Sequence, residues 1–236
     1  MKKRIFILIS ISLAVLIYFK HGETIYLKLS GKRTISEVID LYEQPTEEFL
    51  KPLFTAKGIS YPPEKMAFLV FKKERILELW ASANKNYTKI TQFHLAGYSG
   101  RLGPKLREGD KQIPEGIYKI IGFNPNSNFH LSMKLNYPNS FEVSMAEEEG
   151  RTDLGSDIFI HGNNVTIGCL AMGDAVIEIL FTVSYLTGKD NIEVIIAPTD
   201  PRNGTFGITE DMPVWTKTLY RYINNKITLI VNNEYD

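Results

Sequence analysis

The sequence predicts a mixed α+β fold in which a curved, barrel-like sheet packs against one helix. Short runs rich in β-branched and aromatic residues recur between residues 66 and 197, and polar or Gly- and Pro-containing segments separate them. One helix interrupts the strands, from about Asp174 to Thr187, with Asp174 as its expected cap and Gly188 past its end. Many strands with a single late helix favour this architecture. The predicted strands are Met66–Phe71, Ile76–Ala81, Lys89–Ala96, Ile117–Phe123, Phe129–Leu135, Asp157–His161 and Ile192–Ala197.

Small helical extensions are predicted on both sides of the strand-rich part. Apolar residues recur at helical spacing in 35–42 and 49–54, and Pro45 between these stretches predicts two short helices. Near the carboxy terminus, Pro213 predicts a helix start, with an end at about Asn224 and a short β-like run over 227–231. The expected division is a leader (1–20), a helical segment (21–60), the strand-rich domain (61–200) and a carboxy-terminal extension (201–236).

The amino terminus has the pattern of a secretory leader. Lys2, Lys3 and Arg4 precede the apolar run Ile5–Phe19, which as a helix would span only about 22 Å. A bilayer's hydrocarbon core is about 30 Å thick, so the length favours a signal peptide. Bulky residues in 18–23 stand where a signal peptidase requires small ones, so an uncleaved anchor stays open. Both alternatives predict an exported protein, either periplasmic or secreted, or anchored to the inner membrane through this segment alone.

The composition argues against several classes of function. The 27 Lys and Arg residues balance the 27 Asp and Glu residues, so a nucleic-acid partner held on a basic face is not expected. Cys169 is the only cysteine, which excludes an intramolecular disulfide and zinc-finger spacing. The four histidines form no His-x-x-x-His pair, so no metal is predicted and a metal hydrolase is poorly supported.

One thiol and one imidazole lie close together in the sequence. His161 ends a strand-like run, and Cys169 follows eight positions later, beyond a short polar loop. A tight loop or a returning strand would bring the two side chains together. An imidazole can take the thiol's proton or hold the thiolate as an ion pair, with a thiol pKa well below about 8.5. Gly168 would let backbone N–H groups approach a developing oxyanion.

Taken singly, these residues have ordinary structural explanations. A lone cysteine flanked by Ile167 and Leu170 is more often an inert buried residue than a nucleophile, and a lone histidine is more often a hydrogen-bonded core residue. The combination of His161 and Cys169 with Gly162 and Gly168 favours a catalytic pair in an exported chain that keeps a single thiol.

The stretch Ile160-His161-Gly162, six residues and Cys169 resembles a shortened active-site motif of the L,D-transpeptidase catalytic domain family. The shorter spacing is similar to that of the branch whose enzymes detach or modify murein-linked lipoproteins. The resemblance covers roughly residues 35–200, and the block ending in Pro-Glu-Gly is as specific as the Cys motif. The other similar blocks are Ser60–Pro63, Leu102–Asp110, Ile113–Tyr118, His130–Ser132 and Asn136–Asn139.

The resemblance implies a role for each motif residue. Cys169 would be the acyl-accepting nucleophile, His161 its general base, and the backbone amides around Gly168 and Cys169 the oxyanion hole. The family usually orients its histidine with a backbone carbonyl, and thiol-mediated acyl transfer needs no cofactor. Many members carry Ser-His-Gly-Cys and then an Arg, whereas this chain has Thr166-Ile167-Gly168-Cys169 and then Ala171. This departure puts the usual substrate carboxylate contact in doubt.

Further residues are candidates for substrate contacts. Lys105 and Arg107, with Lys111, lie in a Gly- and Pro-bounded loop that can pair with peptide carboxylates or simply face solvent. His130 and Ser132 share one face of an alternating strand and are candidates for the cleft. Tyr98 is a candidate wall of the site, and Gly162 and Thr166 complete the expected substrate-binding set.

Two functions of different class follow. The first is an exported cysteine acyl enzyme that forms a thioester on Cys169 with a peptidoglycan stem peptide at meso-diaminopimelate. An amine would resolve the thioester into a cross-link or a lipoprotein attachment, and water would give carboxypeptidase, endopeptidase or amidase activity, with a murein-linked lipoprotein as a further partner. The alternative is a non-catalytic cell-wall or partner-binding module that keeps the fold, with Cys169 as a structural residue.

Overall fold

The computed structural model describes residues 31–83 and 86–232 and divides the chain after Leu41 into two units. The leader predicted for residues 1–20 lies outside the described residues. Within the described ranges, no helix is both long and apolar enough to cross a membrane. The helices are α1 (Ile35–Thr55), α2 (Ser140–Glu148), α3 (Asp174–Thr187) and α4 (Thr216–Asn232). The strands are β1 (Lys65–Phe71), β2 (Ile76–Ala83), β3 (Asn86–His94), β4 (Gly116–Ser127), β5 (His130–Leu135), β6 (Phe159–His161), β7 (Leu170–Ala171) and β8 (Ile192–Ala197).

The strands form one mixed sheet in the order β3-β2-β1-β8-β4-β5-β6-β7. Parallel pairing joins β1 to β8 and β6 to β7, and the remaining pairs are antiparallel. β1 and β8 are almost continuously apolar because they are buried inside the sheet, as expected for strands covered on both faces. The mixed α+β class and the sheet with a helix after Cys169 are confirmed. The described strands do not close a barrel, since the order ends at β3 and β7.

The long strand β4 has two partners and pairs irregularly with one of them. The first residues of β4 pair with β8, from Gly116 to Lys119, and its later residues pair with β5. The β4–β5 register shifts between Ile120 and Gly122 and again towards Ser127. Extra residues in one strand bend it and increase its twist. The irregular part of β4 is therefore the part that pairs with β5, beyond its regular pairing with β8.

The helix α4 covers one face of the sheet. Leu219, Ile223, Ile227 and Ile230 recur at helical spacing, are buried, and pack against a cluster that includes Leu69 and other β1 and β8 side chains. The β-like run expected over 227–231 is therefore wrong. Its β-branched residues continue the helix because their apolar face meets the sheet.

Three further differences from the predicted elements have local causes. α1 continues through Pro45, where two helices were expected, and the burial of Leu50 and Phe54 beyond it stabilises the longer helix. α2 was not predicted, although Asn139 and Glu142 form a capping box at its start. β7 is only two residues long and has no periodicity that a sequence pattern could reveal.

A buried ion pair holds the loop 95–115 against the rest of the domain. Lys72 Nζ lies 2.9 Å from Glu115 Oε1, and both side chains are fully buried. Lys72 also donates to the carbonyls of Gly103 and Ile113, and Gly103 N–H donates to Glu115 Oε1. Tyr220 of α4 donates to Glu115 Oε2 at 2.8 Å. Every strong polar group in this network has a partner, which offsets its desolvation.

Replacing Lys72 with Met should destabilise the protein because it leaves the Glu115 carboxylate buried without its counter-charge. We expect the free energy of unfolding in urea to fall by about 3–5 kcal/mol. The exposed neighbour gives the matched control, and Lys73→Met should leave the unfolding curve close to wild type. The double variant Lys72→Met, Glu115→Gln should recover part of the loss. A single Lys72 variant as stable as the Lys73 control would contradict this account.

Candidate active site

The two motif residues flank a short pair of parallel strands, with His161 at the end of β6 and Cys169 just before the start of β7. His161 is the last residue of β6 and pairs with Ala171 of β7, and Cys169 immediately precedes β7. On the other side of β6, Ser132 of β5 pairs with His161. The eight-residue step from His161 to Cys169 is therefore a loop between two adjacent parallel strands.

Cys169 and His161 line one cavity of about 190 Å³. The cavity lies where the β4–β5 turn meets the ends of β6 and β7. Its lining residues are Asn124, Ser127, Asn128, Phe129, Ser132, Phe159, His161 and Cys169. Cys169 is partly exposed, so a reagent or substrate in the cavity reaches the thiol.

His161 is held in one orientation and one tautomer. Its ring is buried, and Nδ1 lies 2.5 Å from the carbonyl oxygen of Gly162, which only accepts. The proton therefore sits on Nδ1, and Nε2 is left as the basic nitrogen. The Phe129 ring packs on the imidazole with centroids 4.7 Å apart. Burial lowers the pKa of His161, and the bond to Gly162 only partly opposes that effect.

The thiol of Cys169 is held in its protonated form. Burial raises the pKa of Cys169, and the charge of Asp157 acts in the same direction. A backbone hydrogen bond from Phe159 and the charge of Lys105 oppose this rise without reversing it. Sγ lies 3.6 Å from the Asp157 carbonyl oxygen, to which the S–H donates. Of the two ways in which an imidazole can activate a thiol, this environment favours proton removal during attack over a standing ion pair.

The expected oxyanion-hole amides have a partner within their own loop. Cys169 N–H donates to Thr166 Oγ1 at 2.9 Å and Gly168 N–H to the same oxygen at 3.3 Å, while the Thr166 hydroxyl donates to the Cys169 carbonyl. Gly168 has a φ of +136°, and a Cβ there would lie 3.1 Å from the Gln112 carbonyl oxygen. The positive φ would strain any other residue at 168, and the Gln112 carbonyl would have to shift slightly to admit a Cβ. Thr166 thus orders the loop around the thiol.

Two of the predicted contact residues are engaged elsewhere. Lys105 is buried, and its ammonium lies 2.6 Å from Asp110 Oδ1, so it is not free to bind a carboxylate. Arg107 is exposed and lines a separate groove of about 590 Å³, bordered also by Arg101, Arg151 and Met212. Neither residue lines the cavity that holds Cys169.

His130 and Tyr98 also lie outside this cavity, whereas Ser132 lines it. His130 begins β5 with a φ of +71°, so the alternation of strand side chains does not extend to it. Its Nε2 instead lies 2.7 Å from Glu178 Oε1 on α3. The Tyr98 ring is covered by the Arg75 guanidinium at 5.0 Å.

Several cavity residues were missed by the sequence analysis. Phe159 lies two positions before His161 on the same strand, so alternation alone would have placed both on one face. Phe129, Asn124, Ser127 and Asn128 belong to a bulged turn whose side-chain directions no periodicity predicts. Among the described residues, no group of three His, Cys, Asp or Glu side chains is arranged to hold a metal ion.

A known bacterial protein is similar to this chain over about half of its length. Over 134 residues the chain is 32% identical to YafK of Escherichia coli (strain K12), which is provisionally named an L,D-transpeptidase. That match covers 55% of this chain and 52% of YafK, so the chain spans about half the length of the curated relatives it matches.

Two solved structures are also similar, at low scores. The helical cell shape determining protein Pgp2 from Campylobacter jejuni has a TM-score of 0.45 at 20% identity, over 58% of this chain and 48% of Pgp2. Bd1075 from Bdellovibrio bacteriovorus has a TM-score of 0.42 at 20% identity, over 69% of this chain and 55% of Bd1075.

The family assignment comes from a sequence model of the L,D-transpeptidase catalytic domain (YkuD). It matches residues 66–196, which is more than half of the chain and includes both His161 and Cys169. The chain belongs to the L,D-transpeptidase catalytic domain family.

Proposed function

We propose that this protein is an exported cysteine acyl enzyme that acts on peptidoglycan stem peptides at meso-diaminopimelate. The observation that carries the proposal is that Cys169 and His161 line one cavity while the Gly162 carbonyl fixes the Nδ1–H tautomer of His161. Family membership supports peptidoglycan as the substrate. The leader pattern in the sequence supports export to the compartment where peptidoglycan lies.

In the first half-reaction, Cys169 Sγ attacks the carbonyl carbon on the L-centre side of the L,D amide bond while His161 Nε2 takes the thiol proton. A new S–C bond forms and the carbonyl oxygen becomes an oxyanion. When the tetrahedral intermediate collapses, the C–N bond breaks and the leaving amine receives the proton from the His161 imidazolium. The product is a thioester on Cys169, with His161 neutral again.

In the second half-reaction, an amine or water attacks the thioester carbonyl and His161 Nε2 takes its proton. The S–C bond breaks, and the sulfur recovers that proton from His161, which restores the starting pair. An amine gives a cross-link or a lipoprotein attachment, and water gives a shortened stem or a released lipoprotein. The resemblance to the lipoprotein-related branch favours hydrolysis or remodelling.

Stabilisation of the oxyanion is assigned to the Gly168 and Cys169 amides. Both donate to Thr166 Oγ1 in this structure. For these amides to bind the oxyanion, the Thr166 side chain has to release them. The charged substrate oxygen would then take the place of the neutral Thr166 hydroxyl as their acceptor. Hydrogen bonds from backbone amides to a charged acceptor are stronger.

A purely structural Cys169 is less well supported than a nucleophile. An inert buried cysteine packs as a small apolar residue with no access to solvent. Cys169 is partly exposed and faces a cavity with polar walls, including Ser132 and Asn124. His161 is buried and has no ion-pair partner among the described residues, so its burial has a desolvation cost that the role of a general base would explain.

The ionisation of the thiol can be measured directly because Cys169 is the only cysteine. Since burial raises its pKa, we expect the rate of alkylation by iodoacetamide to rise with pH and to reach its midpoint above the ordinary value of about 8.5. His161→Ala should leave that midpoint nearly unchanged, as should His94→Ala at an exposed control histidine. An alkylation rate that is high and constant from pH 5 to pH 8 would instead indicate an ion pair.

Turnover can be tested by incubating the full chain with purified murein sacculi and analysing the digested muropeptides by mass spectrometry. Cys169→Ser should lower turnover by at least about 1000-fold and change the free energy of unfolding by less than about 1 kcal/mol. His161→Gln should show a similar loss, whereas His94→Gln should keep wild-type turnover. Cross-linked muropeptides would indicate transpeptidation, shortened stems would indicate peptide hydrolysis, and lipoprotein-free muropeptides would indicate lipoprotein release. If neither the wild-type protein nor Cys169→Ser changes the muropeptides, the proposal is overturned.

A further inference from the structure

The peptide group between Gly162 and Asn163 is hydrogen-bonded on both sides. Its carbonyl oxygen accepts from His161 Nδ1 at 2.5 Å. Its N–H donates to Oδ1 of Asp174, the first residue of α3, at 2.7 Å. One planar unit therefore joins the Asp174 carboxylate to the imidazole.

The two hydrogen bonds strengthen each other. Resonance couples the N–H and the C=O of a peptide group, so a carboxylate that accepts from the N–H increases the negative charge on the carbonyl oxygen. A more negative oxygen holds the Nδ1 proton of His161 more firmly. The bond from Asn163 N–H to a charged acceptor is itself stronger than one to a neutral acceptor.

The absence of a side chain at Gly162 allows Asp174 to come close to the backbone. A Cβ on Gly162 would lie 2.7 Å from Asp174 Oδ1 and 2.7 Å from the Phe129 carbonyl oxygen. Neither contact leaves room for a side chain, and the backbone carbonyl cannot move without breaking the turn. Gly162 is thus needed for the carboxylate to reach the peptide group that follows it.

Backbone hydrogen bonds fix the same turn to the start of α3. Met172 N–H donates to the His161 carbonyl at 2.8 Å, and Gly173 N–H donates to the Asn163 carbonyl at 3.0 Å. The N-cap of α3 is Gly173, the residue before Asp174, and it makes no side-chain capping hydrogen bond. The expectation that Asp174 caps α3 is therefore wrong.

Asp174 is also electrostatically available. Among the ion pairs of the described residues, none includes Asp174. The unpaired N–H groups in the first turn of α3 stabilise a carboxylate at this position. In the described part of the chain, its carboxylate therefore lies next to the peptide group without an ion-pair partner.

We propose that Asp174 is a positioning residue for His161, acting through the Gly162–Asn163 peptide group. It keeps the Gly162 carbonyl directed at Nδ1, which keeps the proton on Nδ1 and the basic nitrogen, Nε2, available. Asp174 thereby acts on the imidazole without contacting it. This inference rests on the proposed role of His161 as the general base.

The test combines His161 nitrogen NMR with turnover on murein sacculi, in the full chain and in three variants. In Asp174→Ala we expect the population of the Nδ1–H tautomer of His161 to fall. We expect kcat to fall about 10- to 100-fold, which is the range for the loss of a hydrogen bond to a charged group. KM should stay close to wild type. Asp174→Asn keeps an acceptor of the same shape without the charge, so both readouts should lie between Ala and wild type. Asp190→Ala removes an exposed carboxylate elsewhere and should match wild type in both.

The outcomes separate this inference from the proposed function. A wild-type tautomer and a wild-type kcat in both Asp174→Ala and Asp174→Asn would overturn the positioning role. If Asp174→Ala does not fold, the same two readouts in Asp174→Asn decide alone, since its side chain is isosteric. An Asp174-dependent tautomer in a protein with no turnover on sacculi would uphold the positioning role and overturn the proposed function.

Discussion

The candidate site depends on the parallel pairing of β6 with β7. Two parallel strands begin at the same edge of a sheet, so the chain has to return along the whole of β6 before β7 starts. Here β6 is only three residues long and the return is a short loop. Because both strands are so short, the end of one and the start of the other fall at one cavity, which His161 and Cys169 both line.

Burial then sets the charge state of the pair. Removing a thiol and an imidazole from water disfavours the charged form of each, which raises the pKa of Cys169 and lowers that of His161. Both shifts favour neutral groups at rest. An uncharged resting pair needs no counter-ions, which fits walls made of Phe, Ser and Asn side chains. In the proposed reaction, charge develops only when the thiol attacks a carbonyl carbon, and oriented backbone amides can then stabilise the oxyanion.

The reach of sequence reasoning differs from element to element. Strands such as β1 and β8 were predictable because burial on both faces favours a nearly continuous apolar run. The end of α4 was misassigned because Ile227 and Ile230 have β-branched side chains, and only the sheet beneath them decides that they belong to a helix. The capping box at Asn139 was visible in the sequence and would have predicted α2.

For the candidate site, too, the sequence predicts what depends on local properties and not what depends on how the chain folds back. His161 and Cys169 were found from residue type, spacing and resemblance, all of which are local properties of the chain. Lys105 was selected for its charge, but its pairing with Asp110 depends on how a loop folds back, which no spacing reveals. Asp174 has the residue type of a helix cap, and only the geometry of the turn at Gly162 directs its carboxylate towards Asn163 instead.

The position of α4 has a consequence for how this domain can be excised. The family match ends at residue 196, but the helix that shields Leu69 and Ile195 comes later in the chain. A fragment trimmed to the family boundary would present that apolar sheet face to water and leave Glu115 without its tyrosine donor. A unit that keeps this core buried is therefore longer than the family-matched region and includes α4.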